Sequence, residues 1–338
     1  DATYGGNTDN EYTQKFGKQQ GKYYVPQRAA AGLDPWATPQ AYDNAKDFFD
    51  TGITWSNSLN VAQMLDKSSY SISLGNTHQD GIISSTGMDR YNVKVSADTK
   101  LTNNWSSGFT ANYITTSIDK AVTSGNGLLR TVYAAPPSYD LAGIPSHVDG
   151  NPYTQNSFRG SFDNAYWAME NNKFTEDTNR FFGNVYASYQ TDFGTTNHKL
   201  NAKYMVGVDA YTTHYVDSYG YGSNTGGGRG QIENYGWTNA TYNSLLTINY
   251  DWHINEDWGL NAVVGNEIIQ SNRKKYYEYG TNYNFPGWNH INNATTQQTE
   301  EETWKNRTVG FFGNVSASYR NMLYLTLTGR QDYVSNMP

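Results

Sequence analysis

The clearest pattern in this chain is a regular alternation of apolar and polar residues, and one alternating segment occurs twice. Residues 180–190 read RFFGNVYASYQ and residues 310–320 read GFFGNVSASYR, so the two copies differ only at the first, seventh and last positions. In a β-strand, such alternation places the apolar side chains on one face and the polar side chains on the other. Further alternating stretches fill the interval between the copies. The pattern therefore predicts one large antiparallel sheet with an apolar and a polar face.

About ten strands are predicted from this alternation. They run approximately over 53–64, 68–79, 89–101, 104–118, 179–191, 198–216, 236–252, 257–274, 304–320 and 322–334. Most of them exceed the roughly 9–11 residues that a tilted strand needs to cross a bilayer. They are also longer than the roughly 5–6 residues typical of strands in soluble proteins. Strand length thus favours a wall of transmembrane β-strands.

The connections between these strands alternate in length. Short polar turns are predicted at 66–67, 102–104, 192–197, 255–257 and 321, and a modest connection at 80–88. Long excursions are predicted at 119–178, 217–235 and 275–303. Tight turns at one end and long loops at the other are typical of outer-membrane barrels. We therefore expect a loop region at 1–50 that leads into a partial β-barrel over 51–338.

Aromatic residues accompany the short turns. They are Tyr70, Trp105, Tyr189, Trp252, Trp258, Tyr319 and Tyr324. Tyrosine and tryptophan prefer the headgroup level of a membrane, because their rings combine an apolar body with a polar tip. The placement predicts a membrane interface at the turn side. The alternative is that these rings cover the edges of a soluble β-sandwich.

The composition agrees with a β-barrel in which half of each strand faces a polar lumen. The 338 residues are 37% hydrophobic, 16% charged and 15% aromatic, and none is cysteine. No apolar run approaches 18 residues, so no transmembrane helix is predicted. The absence of cysteine excludes disulfides and thiolate metal sites. A net charge of −7 argues against a nucleic-acid partner.

Several segments, in the same order along the chain, resemble the SusC/RagA-type TonB-dependent outer-membrane transporters. Residues 43–52 (DNAKDFFDTG) and 54–58 (TWSNS) are similar to the family's entry into the barrel, and residues 70–82 are similar to its next hairpin. Residues 312–315 (FGNV) and 327–333 (LTGRQDY) resemble later strands of the family. The resemblance begins near residue 15 and extends to the end of the chain.

The resemblance implies an all-β antiparallel wall that forms part of a 22-stranded barrel. In that family the barrel encloses a plug, which is released by pulling through TonB, and a SusD-like surface lipoprotein forms a lid. The implied substrates are oligosaccharides or oligopeptides. No plug domain is recognisable in this sequence, so we expect a piece from the middle of a barrel wall in the bacterial outer membrane. Contact with the TonB complex would pass through the absent plug.

Enzyme chemistry is not indicated. The six histidines are scattered without metal-ligand spacing, and no nucleophile motif or cofactor motif occurs. Function is therefore expected on the polar face and in the long loops. The aromatic cluster Tyr283, Phe285 and Trp288 is the candidate substrate contact. The alternative is that these rings pack the loops together or against the lid.

Three readings of the function remain at this point. The leading one is part of a TonB-energised nutrient importer. A passive outer-membrane porin, or a receptor without transport, is the first alternative. A secreted soluble β-rich carbohydrate-binding protein is the second, and it requires the apolar rows 200–208 and 323–327 to pack against a second sheet.

Overall fold

A single antiparallel sheet of ten strands dominates the protein. The computed structural model describes residues 21–121, 127–195 and 197–337. The strands are β1 (Tyr23–Tyr24), β2 (Trp36–Ala37), β3 (Thr54–Met64), β4 (Ser68–Asp80), β5 (Gly87–Lys100), β6 (Trp105–Asp119), β7 (Lys173–Thr191), β8 (His198–Tyr219), β9 (Gln231–His253), β10 (Trp258–Tyr283), β11 (Ala294–Tyr319) and β12 (Leu323–Met337). The first two form a small ribbon, and β3 to β12 form the large sheet, in which every strand pairs with the next one along the chain. This up-and-down order agrees with the predicted barrel wall.

The strands end close to their predicted positions at the turn side but run further than predicted at the loop side. β10 continues to Tyr283 and β11 begins at Ala294, so the loop between them is 284–293 and not 275–303. The loop between β8 and β9 is likewise shorter than predicted and comprises residues 220–230, not 217–235. Beyond the apolar part of the wall both faces of a strand carry polar residues. The alternation on which the prediction depended is therefore lost although the strand continues.

The two faces of the sheet differ sharply in polarity. The register places apolar side chains opposite each other from strand to strand: Leu59 pairs with Leu74, and Leu74 with Val93. Side chains on this face remain exposed; Val185 and Val264 keep 52% and 55% of their surface accessible. We call this the outer face. The opposite, inner face carries polar pairs, such as the Ser71 and Ser96 hydroxyls at 2.8 Å.

No second sheet covers the outer face within the described residues, where the other sheet is the two-stranded ribbon β1–β2. Leu323, Leu325 and Leu327 are about two-thirds exposed. Monomeric soluble proteins rarely expose a contiguous apolar surface of this extent. The observed packing is therefore not the one that a soluble sandwich requires.

The buried core lies at the loop end of the sheet, in what we call the loop lobe (the described residues of 21–50 and of 120–172). The lobe contains four short helices, α1 (Pro26–Ala30), α2 (Asn44–Phe48), α3 (Leu128–Ala134) and α4 (Ala165–Asn171). Trp167 is fully buried, and its indole N–H donates to the Pro152 carbonyl at 2.8 Å. No helix in the described ranges is both long and apolar enough to cross a bilayer.

The loop lobe joins two distant parts of the chain. The Asn44 Oδ1 atom accepts the Leu141 backbone N–H at 3.1 Å, and the Asn156 amide donates to the Gln27 carbonyl at 2.8 Å. The region predicted as a leading loop is therefore folded from residue 21 onward. Residues 1–20 of the predicted leading loop and residues 122–126 of the predicted 119–178 excursion lie outside the described residues.

Candidate functional site

Aromatic pairs mark the turn-side edge of the outer face. Trp105 pairs with Tyr189 across β6 and β7, with ring centroids 5.0 Å apart. Trp258 and Tyr319 repeat this arrangement on β10 and β11 at 4.8 Å. Tyr70 lies on the same face, near the turn between β3 and β4, and its hydroxyl donates a hydrogen bond to the Gln63 side chain. These rings occupy positions that suit a membrane interface, and that role stays a prediction.

The two remaining predicted interface aromatics differ from each other. Trp252 lies on the outer face, where its ring stacks on His198 with centroids 5.7 Å apart. Tyr324, in contrast, lies on the inner face. It is paired with Ser318, which is in turn paired with Gly259, and these positions all belong to that face. Because strand residues alternate between faces, Leu323 and Leu325 take the outer positions beside Tyr324.

The predicted substrate cluster is divided by the structure. Phe285 and Trp288 stack with centroids 5.8 Å apart, and Trp288 stacks on His290 at 4.9 Å. The three rings are exposed on the loop between β10 and β11. The Asn293 amide donates to the backbone carbonyls of Phe285 and Trp288, each at 2.8 Å. These two hydrogen bonds hold the loop in its conformation.

Tyr283 does not share this exposed surface. Its side chain is fully buried, and its hydroxyl has no hydrogen-bond partner among the described residues. Burial accordingly raises the pKa of the Tyr283 hydroxyl. The ring packs beside Ile232 and against Gly230, whose φ of +73° belongs to the left-handed region that favours glycine. Tyr283 thus anchors the loop that presents Phe285 and Trp288.

A row of three tyrosines lies on the inner face, in the part of the strands that extends toward the loops. Tyr215, Tyr235 and Tyr277 occupy adjacent positions on β8, β9 and β10. The first two rings are parallel within 5°, with centroids 4.8 Å apart. Because Tyr215 and Tyr235 cover each other's ring faces, the row offers hydroxyl groups and ring edges more than flat apolar surface.

Each of these tyrosines lies beside a carboxylate on the preceding strand. The Tyr235 hydroxyl donates to Asp217 at 3.0 Å. Glu176 is the corresponding neighbour of Tyr215, and Glu233 is that of Tyr277. Partial burial, followed by the neighbouring carboxylates, raises the pKa of all three hydroxyls. We call the six residues the tyrosine–carboxylate ladder.

Asp217 of the ladder also lines a cleft of about 790 Å³, to which the loop between β4 and β5 contributes part of the wall. The cleft is lined by groups of mixed character, among them Thr54, Ile82, Lys120, Phe174, Asp217 and Tyr219. The Lys120 ammonium lies 3.3 Å from a Glu176 carboxylate oxygen and 4.6 Å from the centre of the Tyr215 ring. A cleft with hydroxyl, carboxylate and aromatic walls can hold a polar molecule of several residues or sugar units.

The sequence prediction missed Tyr215 and Tyr235 and assigned Tyr277 to a loop. A usable signal was present, because Tyr277 and Tyr279 keep the spacing of two that a strand face requires. Nothing in the sequence, however, shows which strands are neighbours at that level. Among the described residues, no group of three His, Asp or Glu side chains is placed to hold a metal ion.

Comparisons with known proteins agree with this fold. No protein-family model matches the chain. Two curated relatives from Formosa agariphila, TonB-dependent receptor P3 and TonB-dependent receptor P26, are 23% identical over 314 residues and 24% identical over 325 residues. The matches cover 88% and 87% of this chain, respectively. The chain spans about 30% of the length of each receptor.

Solved structures give the same picture. The RagAB peptide transporter superposes with a TM-score of 0.70 at 16% identity, over 87% of this chain and 33% of the other. The RagAB peptide importer in its open-open state gives a TM-score of 0.73 at 14% identity, over 99% and 38%. The resemblance to SusC/RagA-type TonB-dependent transporters is confirmed. These relatives and structures are receptors and a transporter, not enzymes, as the prediction of a non-enzymatic chain requires.

Proposed function

We propose that this chain is part of the barrel wall of an outer-membrane, TonB-energised importer. The outer face contacts lipid, and the inner face borders the path of an oligosaccharide or oligopeptide. The observation that carries the proposal is the exposed apolar outer face over ten strands, bordered at the turn side by the pairs Trp105–Tyr189 and Trp258–Tyr319. A lipid-facing band that ends in aromatic rings is the signature of an outer-membrane barrel.

The open edges of the sheet support a larger barrel. Within the described residues, β3 and β12 each pair on one side only. An unpaired backbone N–H or C=O in the hydrocarbon core costs several kcal/mol. In the working protein these edges pair with strands from outside the described sheet, and the 22-stranded barrel with its internal plug is the arrangement that we propose.

The loop end is the proposed site of partner contact. A SusD-like surface lipoprotein would contact the loop lobe and the 220–230 loop. In the loop lobe, Leu129 and Tyr133 of α3 are exposed and available for this contact. The stack of Phe285, Trp288 and His290 lies at the same end and is available to substrate or to this lid. The TonB complex would act through the plug.

Uptake measurements test the proposal. Bacteria that carry the intact receptor, a receptor deletion or a TonB deletion would receive labelled oligosaccharides and oligopeptides. The proposal expects loss of uptake in both deletions, together with fractionation of the receptor into the outer membrane. Uptake that needs the receptor but not TonB would favour the passive porin. A receptor found in the soluble secreted fraction would favour the carbohydrate-binding protein.

A further inference from the structure

An arginine on the inner face is held between two tryptophans. Arg273 of β10 is paired with Asn239 on β9 and with Trp304 on β11. Its guanidinium carbon lies 5.1 Å from the centre of the Trp237 ring and 5.5 Å from that of the Trp304 ring. Cation–π contacts of this kind fix the position of a guanidinium and shield it partly from water.

Arg273 has no anionic partner within the described part of the chain, whereas Arg180 and Arg330, which also lie on the inner face, each have one. Arg180 forms a two-point ion pair with Asp209 at 2.8 and 2.6 Å. Arg330 contacts Glu267 at 2.8 Å. No carboxylate oxygen of the described residues lies within 4.0 Å of the Arg273 guanidinium. A fixed cation whose donors lack an acceptor is ready to bind an anion.

The nearby carboxylates are largely engaged elsewhere. Asp217 accepts a hydrogen bond from Tyr235, Glu176 pairs with Lys120 at 3.3 Å, and Glu233 lies beside Tyr277, which is four residues further along β10. Glu302 lies opposite Lys275, so that carboxylate faces a second cation two residues from Arg273. The Arg273 position therefore keeps an uncompensated positive charge.

The surface around Arg273 suits a sugar more than an apolar peptide. Its inner-face neighbours carry amides and hydroxyls, namely Asn239, Thr241, Ser271 and Asn306. The Thr241 and Ser271 hydroxyls are 3.1 Å apart. Such groups pair with the hydroxyls of a sugar, and the partly exposed Trp304 ring provides an apolar surface for stacking.

We propose that Arg273, braced by Trp237 and Trp304, binds the carboxylate or sulfate group of an acidic oligosaccharide. A planar guanidinium donates two parallel hydrogen bonds to either oxyanion. The inference rests on the proposed import function and specifies its substrate class. It assigns to the inner wall an anion-selective position, separate from the ladder and from the exposed aromatic stack at Phe285.

Binding to the intact, detergent-purified receptor tests this position. Three fluorescent oligosaccharides of equal length serve as probes: an oligogalacturonate, a sulfated oligogalactan and a neutral maltooligosaccharide. We expect the wild-type receptor to bind one of the two acidic probes about tenfold or more tightly than the neutral probe. The probe that binds identifies carboxylate or sulfate as the recognised group.

Three variants define the role of Arg273. Arg273→Gln should abolish the preference for the acidic probe, and Arg273→Lys should retain only part of it, because lysine keeps the charge but loses the planar donors. Arg307→Gln is the matched control; Arg307 is an exposed arginine on the outer face of neighbouring β11 that contacts Gln270, and its loss should change nothing. A heat-modifiable gel shift for each variant confirms folding.

Two results would overturn the inference. One is a wild-type receptor without preference for either acidic probe, and the other is an Arg273→Gln variant that keeps the preference. TonB-dependent uptake of a neutral oligosaccharide or a peptide, with no charge preference, would leave the proposed import function intact and remove only this inference. Loss of TonB dependence would instead contradict the import function itself.

Discussion

Trp105 and Tyr189 stand directly opposite each other on β6 and β7, with ring centroids 5.0 Å apart, next to the turn at 101–104. An aromatic pair at this position supports the wall in two ways. The rings stabilise the strand pairing by contact with each other, and under the proposed function they would also hold the strand ends at the headgroup level of a bilayer.

This pairing predicts a measurable coupling between the two rings. Replacing Trp105 and Tyr189 by alanine, singly and together, should give a coupling free energy of about 0.5–1.5 kcal/mol in a double-mutant cycle. Urea unfolding of the barrel in lipid vesicles provides the measurement. The same cycle on Trp105 and Tyr242, which lies two strands beyond Tyr189 on the outer face, should be additive within about 0.5 kcal/mol. Equal coupling in both cycles would contradict direct contact.

A charge on the outer face should be costly. Val206 lies on the outer face of β8 opposite Val185, and Val206→Arg should reduce the free energy of unfolding in lipid by about 2–4 kcal/mol. Asn201 of the same strand lies on the inner face and is exposed, so Asn201→Arg should change stability by no more than about 0.5 kcal/mol. If the two variants were equally stable, the assignment of the faces would be wrong.

Gly230 should be required for the packing of the loop. An added Cβ atom there would lie 2.4 Å from the Tyr283 ring, and φ is +73°. Gly230→Ala should therefore destabilise the 220–230 loop by well over the roughly 1 kcal/mol of backbone strain alone. Gly228 has a similar φ of +82°, but an added Cβ atom there would meet open space. Gly228→Ala should therefore destabilise the loop only by the backbone strain. Limited proteolysis of the loop should separate the two variants, and equal cleavage rates would refute the packing of Tyr283.

The wall could be predicted well from the sequence at the turn side, where the alternation is regular. The turn-side ends of β6, β8 and β10 fall within one residue of their predicted positions, because one face of each strand must stay apolar there. At the loop end β11 starts ten residues before its predicted position at 304, since water or polar groups meet both faces and no alternation is needed. Sheet pairing continues through backbone hydrogen bonds, which leave no pattern in the side chains.

The candidate site was harder to predict because it depends on contacts between distant residues. Tyr283, Phe285 and Trp288 are neighbours in sequence, but Asn282, at a φ of +59°, redirects the chain, and Tyr283 is buried while the other two rings are exposed. The Arg273 position requires Trp237 and Trp304 from two other strands. Only the register of β9, β10 and β11 brings these three residues together.

Site-directed spin labelling along β8 tests the central claim most directly. The chain has no cysteine, so single cysteines can be placed at each position from 200 to 208 in the receptor, and any cysteine elsewhere can be replaced beforehand. In lipid vesicles, labels at the even positions should be accessible to oxygen dissolved in the bilayer, and labels at the odd positions to a water-soluble nickel chelate. A two-residue alternation of this phase would establish the outer face as the lipid-facing surface. Uniform accessibility to the nickel chelate, or protection of the even positions from both reagents, would contradict it.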